Sequence, residues 1–351
     1  MKKETVVLIS KDKRSTSVFE EIKSELLKSE SIEVVRLEKD AVESRNQKLI
    51  KRFAVPLLKI KDTFNNVIGK TTKVSFGTSV CSKRIVNLFY RYTPILVFTD
   101  SPDVLVAIEK NKGKLGTRTH IVAFCPEITF DIKLVNDIVK YYFVDNIEAR
   151  NKLVYNGIYS DKIFVDPVPC EKKYFESYDK EEARNRYFRN NGNKKVVIDA
   201  ECSDKKYREL ISLVDENFKG TDILIYAGIN TKAYKTATEK GAAVFDKNAD
   251  KFDIFASADI IVSQGDTLTV KSVSAMNKPL IIYKPSDKIK VSNAEYLRAD
   301  NSVAFACNAE EFKTILDSFD NGTLNLKNDF TDAKSASNIA KEILNIINLS
   351  E

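Results

Sequence analysis

Short apolar runs alternate along the chain with stretches whose apolar positions recur at helical spacing. Thr5–Ser10, Ile32–Arg36, Pro94–Thr99, His120–Phe124 and Tyr141–Val144 have the length and composition of strands. Between them, Ser17–Lys28 is amphipathic and Leu49–Ile68 carries apolar residues at helical spacing. Ser101 followed by Pro102 predicts an N-cap with proline at the first helical position. The alternation is that of a parallel sheet with crossover helices. A second series follows, with strands expected at Lys195–Ala200, Asp222–Ala227, Ala242–Phe245, Ile260–Val262, Pro279–Tyr283 and Ser302–Ala306. Helices such as Lys205–Asn217 and Thr269–Met276 lie between them, which predicts a Rossmann-like domain. Asp166-Pro167-Val168-Pro169 interrupts the pattern with two prolines and marks the domain boundary. Asn321–Asp332 reads as a polar loop and Ala333–Leu349 as a final helix.

Composition narrows the class. At 351 residues, with 43% apolar and 30% charged residues, the chain suits two globular domains and excludes a disordered one. The longest apolar runs, such as Val6-Val7-Leu8-Ile9, are too short to span a bilayer or to form the core of an export signal, so a cytoplasmic location is expected. Five scattered cysteines without a CxxC spacing argue against a disulfide framework and a zinc site. A single histidine, His120, argues against a His-ligated centre, so no metal is expected.

Charge changes the picture more. Eleven basic residues between Arg45 and Arg91 face one acid, Asp62, so this segment carries +10 of a net charge of +6 and the remainder carries −4. Such a block attracts a polyanion or an anionic membrane surface. No module that reads nucleic acid accompanies it, which leaves the membrane. Lys48, Lys51, Arg52, Lys59 and Lys61 alternate there with Phe53, Val55, Leu57, Leu58, Ile60 and Phe64, a mixture suited to the headgroup layer. A core helix with a solvated basic face gives the same pattern.

The most informative stretch is Ala258-Asp259-Ile260-Ile261-Val262-Ser263-Gln264-Gly265-Asp266-Thr267-Leu268-Thr269, where a strand enters a small polar loop and a helix begins with hydroxyl residues. Backbone N–H groups at that helix start, with the Thr267 and Thr269 hydroxyls, would cradle a phosphate. An ordinary junction with Thr267 or Thr269 as N-cap is the plainer reading.

Several motifs in order resemble one family. They are Tyr141-Tyr142-Phe143-Val144, Asn156-Gly157-Ile158, Lys162-Ile163-Phe164-Val165, Pro167-Val168-Pro169 with Tyr174-Phe175, and Asp222–Asn230 ending in a Gly-x-Asn turn. Phe252–Asp259, Gly265–Pro279, Asn293-Ala294-Glu295-Tyr296-Leu297 and, earlier, Ser101-Pro102-Asp103-Val104-Leu105 continue the series. Together they resemble the GT-B glycosyltransferases that make monogalactosyl- and processively glucosylated diacylglycerol, relatives of MurG. The resemblance implies an α/β, GT-B architecture of two Rossmann-like domains facing across a cleft. Residues 1–166 would form the acceptor and membrane-facing domain, 167–332 the nucleotide-sugar domain, and 333–351 a helix crossing back to the first. It implies transfer of a sugar from UDP to a lipid acceptor by a protein peripheral at the inner membrane face, with no cofactor. The diphosphate would lie against Ser263, Gly265, Asp266, Thr267 and Thr269, and the base near Gly228, Asn230 and Phe245. Asn293 falls in the motif that follows, and Ser272 falls where the family holds the ribose with a glutamate.

The chain departs from the family at its chemical groups. Lys11-Asp12-Lys13-Arg14-Ser15-Thr16 replaces a Gly-rich loop ending in histidine. Ala123 and Lys140 stand at two aspartate positions, and Glu201-Cys202-Ser203-Asp204 replaces a second Gly-rich loop. An inverting transferase needs a base for the acceptor hydroxyl. Asp12, Glu127 and Asp131 are the remaining candidates. The alternative is a catalytically inactive relative that binds a protein partner, a lipid or a nucleotide.

Overall fold

The computed structural model describes residues 3–12, 15–38, 78–115, 118–188, 193–199, 204–217, 221–226, 235, 237–239, 242–245, 249–327 and 330–349. Lys48, Lys51, Arg52, Lys59, Lys61, Gly228 and Asn230 lie outside them, as do the expected helix Leu49–Ile68 and most of the basic segment. The chain divides into two compact units. One comprises Met1–Pro126, Phe130–Asp166 and Ala336–Glu351, and the other Glu127–Thr129 and Pro167–Ser335.

In the first unit, β1 (Glu4–Ser10), β2 (Ile32–Glu38), β3 (Leu96–Thr99), β4 (His120–Phe124), β5 (Tyr141–Val144) and β6 (Ile163–Val165) form one parallel sheet in the order β2-β1-β3-β4-β5-β6. Both faces are covered, which is why its strands read as continuous apolar runs. On one face Phe98 and Phe124 meet Phe19 of α1 (Thr16–Leu26), with Phe98 stacked on Phe124 at 5.3 Å and edge-on to Phe143. On the other, Val7, Ile9, Val97 and Tyr142 pack with Ile85 and Leu88 of α2 (Thr78–Tyr92), Ile108 of α3 (Pro102–Asn111) and Leu153 of α4 (Ile147–Tyr155). Ser101 occupies the N-cap position of α3, with Pro102 next, but its hydroxyl makes no capping bond.

The second unit contains β7 (Lys195–Asp199), β8 (Asp222–Tyr226), β9 (Ala243–Phe245), β10 (Ile260–Ser263), β11 (Leu280–Tyr283) and β12 (Ala304–Ala306), all parallel, in the order β12-β11-β10-β7-β8-β9. In chain order this is the 3-2-1-4-5-6 arrangement of a Rossmann sheet. Its described helices are α5 (Lys180–Tyr187), α6 (Asp204–Asn217), α7 (Lys251–Ser257), α8 (Thr267–Ala275), α9 (Lys288–Ala299) and α10 (Ala309–Asp320). Val196 and Ile198 face α6 and α10, while Val197 and Ile261 face α7, α8 and α9. The last helix, α11 (Ser335–Asn348), buries Ile339, Ile343 and Ile346. Among the described residues, no helix is long and apolar enough to cross a membrane.

Candidate functional site

A doubly wound sheet opens a crevice at the carboxyl ends of the strands where the strand order reverses. In the second unit that place lies between β7 and β10, and it brings the Asp199 end of β7 beside the Ser263 end of β10. The chain leaves β10 through Gln264-Gly265-Asp266 and turns into α8.

Gly265 makes this turn possible. It has φ +82°, and a Cβ there would sit 3.2 Å from two carbons of Ile282 and 3.4 Å from the Lys290 carbonyl. Its N–H donates to Ser263 Oγ at 3.0 Å. Beside it, Gln264 is 1% exposed, and neither its amide oxygen nor its amide nitrogen has a hydrogen-bond partner. An unpaired buried amide costs roughly 1–3 kcal/mol, so Gln264 is a group that gains from a ligand.

The head of α8 differs from the cradle expected from sequence. Neither threonine is the cap: Asp266 is, accepting from Thr269 N at 3.1 Å. The threonine hydroxyls are directed to carboxylates. Thr267 Oγ1 donates to Glu127 Oε2 at 2.5 Å, and Thr269 Oγ1 donates to Asp199 Oδ2 at 2.7 Å. Three acids therefore converge where a phosphate was expected. The counter-ion of Asp199 and Asp266 is Lys251, whose Nζ lies 2.8 Å from Asp199 Oδ2 and 4.7 Å from the centre of the Tyr226 ring. Burial works against its charge, but Asp199 and Asp266 outweigh burial and hold the ammonium above the ordinary lysine range. The charge of Asp266, which would repel a diphosphate on its own, is thus met by a buried cation.

Asn293 on α9 ties the loop together. Its Oδ1 accepts from Thr129 N at 3.1 Å and Thr129 Oγ1 at 2.9 Å, and its Nδ2 donates to Gly265 O at 3.4 Å and Thr267 Oγ1 at 3.3 Å. Ser263, Gly265, Thr267 and Asn293 are accordingly one hydrogen-bonded cluster, and Asp266 and Thr269 form a second with Asp199 and Lys251 at the same helix start. Glu127, expected among catalytic groups of the first domain, belongs to the first cluster, in the second unit.

Other candidates lie apart from these clusters. Ser272 sits one turn further along α8 as a hydrogen-bond neighbour of Tyr174, whose hydroxyl burial pushes up to about 12. Lys271 beside it is fully buried and donates to the Phe330 carbonyl at 3.0 Å. Phe245 ends β9, with β8 between it and β7, and its ring packs edge-on against Tyr187 at 4.6 Å. Asp12 accepts from Ser15 N at 3.3 Å in the turn after β1, and Asp131 accepts from Lys133 N at 3.1 Å beyond β4. Both belong to the first unit and brace local turns.

Asp199, Lys251 and Gln264 were not singled out from sequence. The signal for Asp199 is an acid closing the apolar run Val196-Val197-Ile198, because such a residue leaves a strand at its functional end.

No family model matches the chain. It is 22% identical over 242 residues to a processive diacylglycerol beta-glucosyltransferase of Bacillus licheniformis, covering 66% of this chain and 61% of that protein. Thus the match spans less than two thirds of the relative's length. Among solved structures, UDP-GlcNAc 2-epimerase from Neisseria meningitidis bound to UDP-GlcNAc superposes with a TM-score of 0.67 at 12% identity, over 97% of this chain and 100% of that one. HepE from Anabaena in complex with UDP-glucose gives a TM-score of 0.57 at 12% identity, over 99% and 98% of the two chains. The chain has an α/β fold of the GT-B type, built from two Rossmann-like units.

Proposed function

We propose that this is a glycosyltransferase-type protein that binds a UDP-sugar at the carboxyl ends of β7 and β10. The sugar passes to a hydroxyl of a diacylglycerol-type lipid at an anionic membrane face. The observation that carries the binding half is Gln264, a fully buried amide without partners beside the left-handed Gly265 at the head of α8. Helix N-termini favour anions, and Lys251 adds a desolvated cation to that end of α8. A diphosphate competes there with Glu127 and Asp199 for the Thr267 and Thr269 hydroxyls. Two fold neighbours are described in complex with UDP-GlcNAc and UDP-glucose, which supports the choice of nucleotide. The lipid acceptor is supported by the Bacillus licheniformis relative and by the +10 segment from Arg45 to Arg91.

A second reading, a catalytically inactive relative, is favoured by one observation. Glu127, Asp199 and Asp266 already hold both threonine hydroxyls and one of the free N–H groups of α8.

Calorimetry with UDP, UDP-glucose and UDP-galactose, followed by radiolabelled transfer to diacylglycerol in vesicles, separates the two. The expected result is binding of a UDP-sugar that Lys251→Met weakens by about 10- to 100-fold, the worth of one charge-assisted hydrogen bond. Binding without transfer establishes the inactive relative. No heat with any of the three ligands removes the nucleotide-sugar reading.

A further inference from the structure

The first unit has its own strand reversal, between β1 and β3, and a polar cluster sits at the carboxyl ends of those two strands. Ile9 pairs with Thr99, so Ser10 and Asp100 leave the ladder side by side, followed by Ser101. Ser10 and Ser101 are 0% exposed and Asp100 is 2% exposed. Ser10 Oγ, Ser101 Oγ and Asp100 Oδ2 have no hydrogen-bond partner. Their backbones are nevertheless fixed. Thr99 Oγ1 donates to Ile9 O at 2.8 Å, Ser101 N donates to Thr99 Oγ1 at 3.1 Å, and Lys11 N donates to Asp100 Oδ1.

Three unpaired buried polar atoms at one strand reversal are costly, and native interiors keep such groups where they are used. A single water could bridge them. Water does not account for the carboxyl, because an asparagine would satisfy it equally well without a buried acid. Burial pushes Asp100 up to about 7; the Ser15 hydroxyl and Lys11 N–H pull it down, the Asp12 charge raises it, and the Lys11 charge lowers it. A carboxyl poised near the working pH is suited to taking and returning a proton.

We propose that Ser10, Asp100 and Ser101 form a subsite for an alcohol, in which the serine hydroxyls orient a ligand hydroxyl and Asp100 Oδ2 accepts its hydrogen bond. The proposal rests on the sugar-transfer reading only in taking that hydroxyl to be the acceptor's.

The test is carboxyl ¹³C NMR of the full chain labelled at aspartate, with the Asp100 signal assigned by its loss in Asp100→Asn. The expected midpoint lies near pH 7, falling by about one unit when 1,2-dioctanoylglycerol is added, because a donated hydroxyl favours the carboxylate. Glucose is the second arm, and a response to it alone assigns the subsite to a sugar hydroxyl. The Ser10→Ala/Ser101→Ala variant should keep the midpoint near 7 and lose the response. A midpoint in the ordinary carboxylate range, or one near 7 that ignores both alcohols, overturns the proposal. None of these readings needs nucleotide, so they stand apart from the calorimetry.

Discussion

Asp100 is protonated up to about pH 7 in the folded protein, against 3.8 for the ordinary side chain. Between those values the folded state keeps a proton that the unfolded chain has released. Stability therefore falls as pH rises through that window and levels off above it. A displacement of this size corresponds to about 4 kcal/mol as an upper order of magnitude. Asparagine has the shape of the neutral acid but does not ionise, so Asp100→Asn should match the parent near pH 4 and exceed its stability at pH 8. Urea unfolding of both proteins across that range measures the difference, and parallel curves would mean that the carboxyl is ordinary. Asp100 and Asp199 were hidden in the sequence for the same reason. Each closes an apolar run, as many loop residues do, and only the strand order puts Ser10 beside the first and Ser263 beside the second. Strand order is set by long-range pairing and has no local signature.

Among the elements, the loop from β10 into α8 shows how much local chemistry decides. Asp266, Thr267 and Thr269 were all visible as cap-competent, but which of them caps α8 and where the threonine hydroxyls go were not. Glu127 and Asp199 are distant in sequence, and their carboxylates draw the hydroxyls away. Asp266→Ala should therefore cost about 1 kcal/mol, as for a lost N-cap. Gly265→Ala should cost more than that, since it combines the left-handed φ with a 3.2 Å approach to the Ile282 side chain. Thermal or urea unfolding of the two variants gives the ranking, and an alanine tolerated at Gly265 would show that the turn can be rebuilt. The described strands, by contrast, were legible to within about two residues at either end, except β6 (Ile163–Val165), a three-residue edge strand too short to stand out. A sheet covered on both faces turns its inner strands into uninterrupted apolar runs, and the aromatic cluster of Phe98, Phe124 and Phe143 is one product of that rule.

For the whole molecule, composition carries information that the folded units do not. The basic segment lies mostly outside the described residues, and its role rests on charge alone. The expected behaviour is pelleting with vesicles that contain anionic lipid and not with neutral ones, weakening as salt is raised. Each Lys or Arg near an anionic leaflet contributes about 1 kcal/mol, so reversing Lys48, Lys51, Arg52 and Lys59 to glutamate should abolish pelleting. Equal pelleting with neutral vesicles would remove the electrostatic account.

The two units are also interleaved along the chain. Glu127, Ile128 and Thr129 are synthesised in the middle of the first unit yet belong to the second, where Ile128 packs in the core and Thr129 satisfies Asn293. The residues from Ala336 onward are made after those of the second unit and belong to the first. Cutting the gene at Pro167 would therefore give two products that each lack part of themselves. The downstream one would have Asn293 and Thr267 without the acceptors and donors of Thr129 and Glu127, and the upstream one would be without Ile339 and Ile343. On the ribosome the first sheet begins to assemble early but waits for the final helix, so the half translated first is the half completed last.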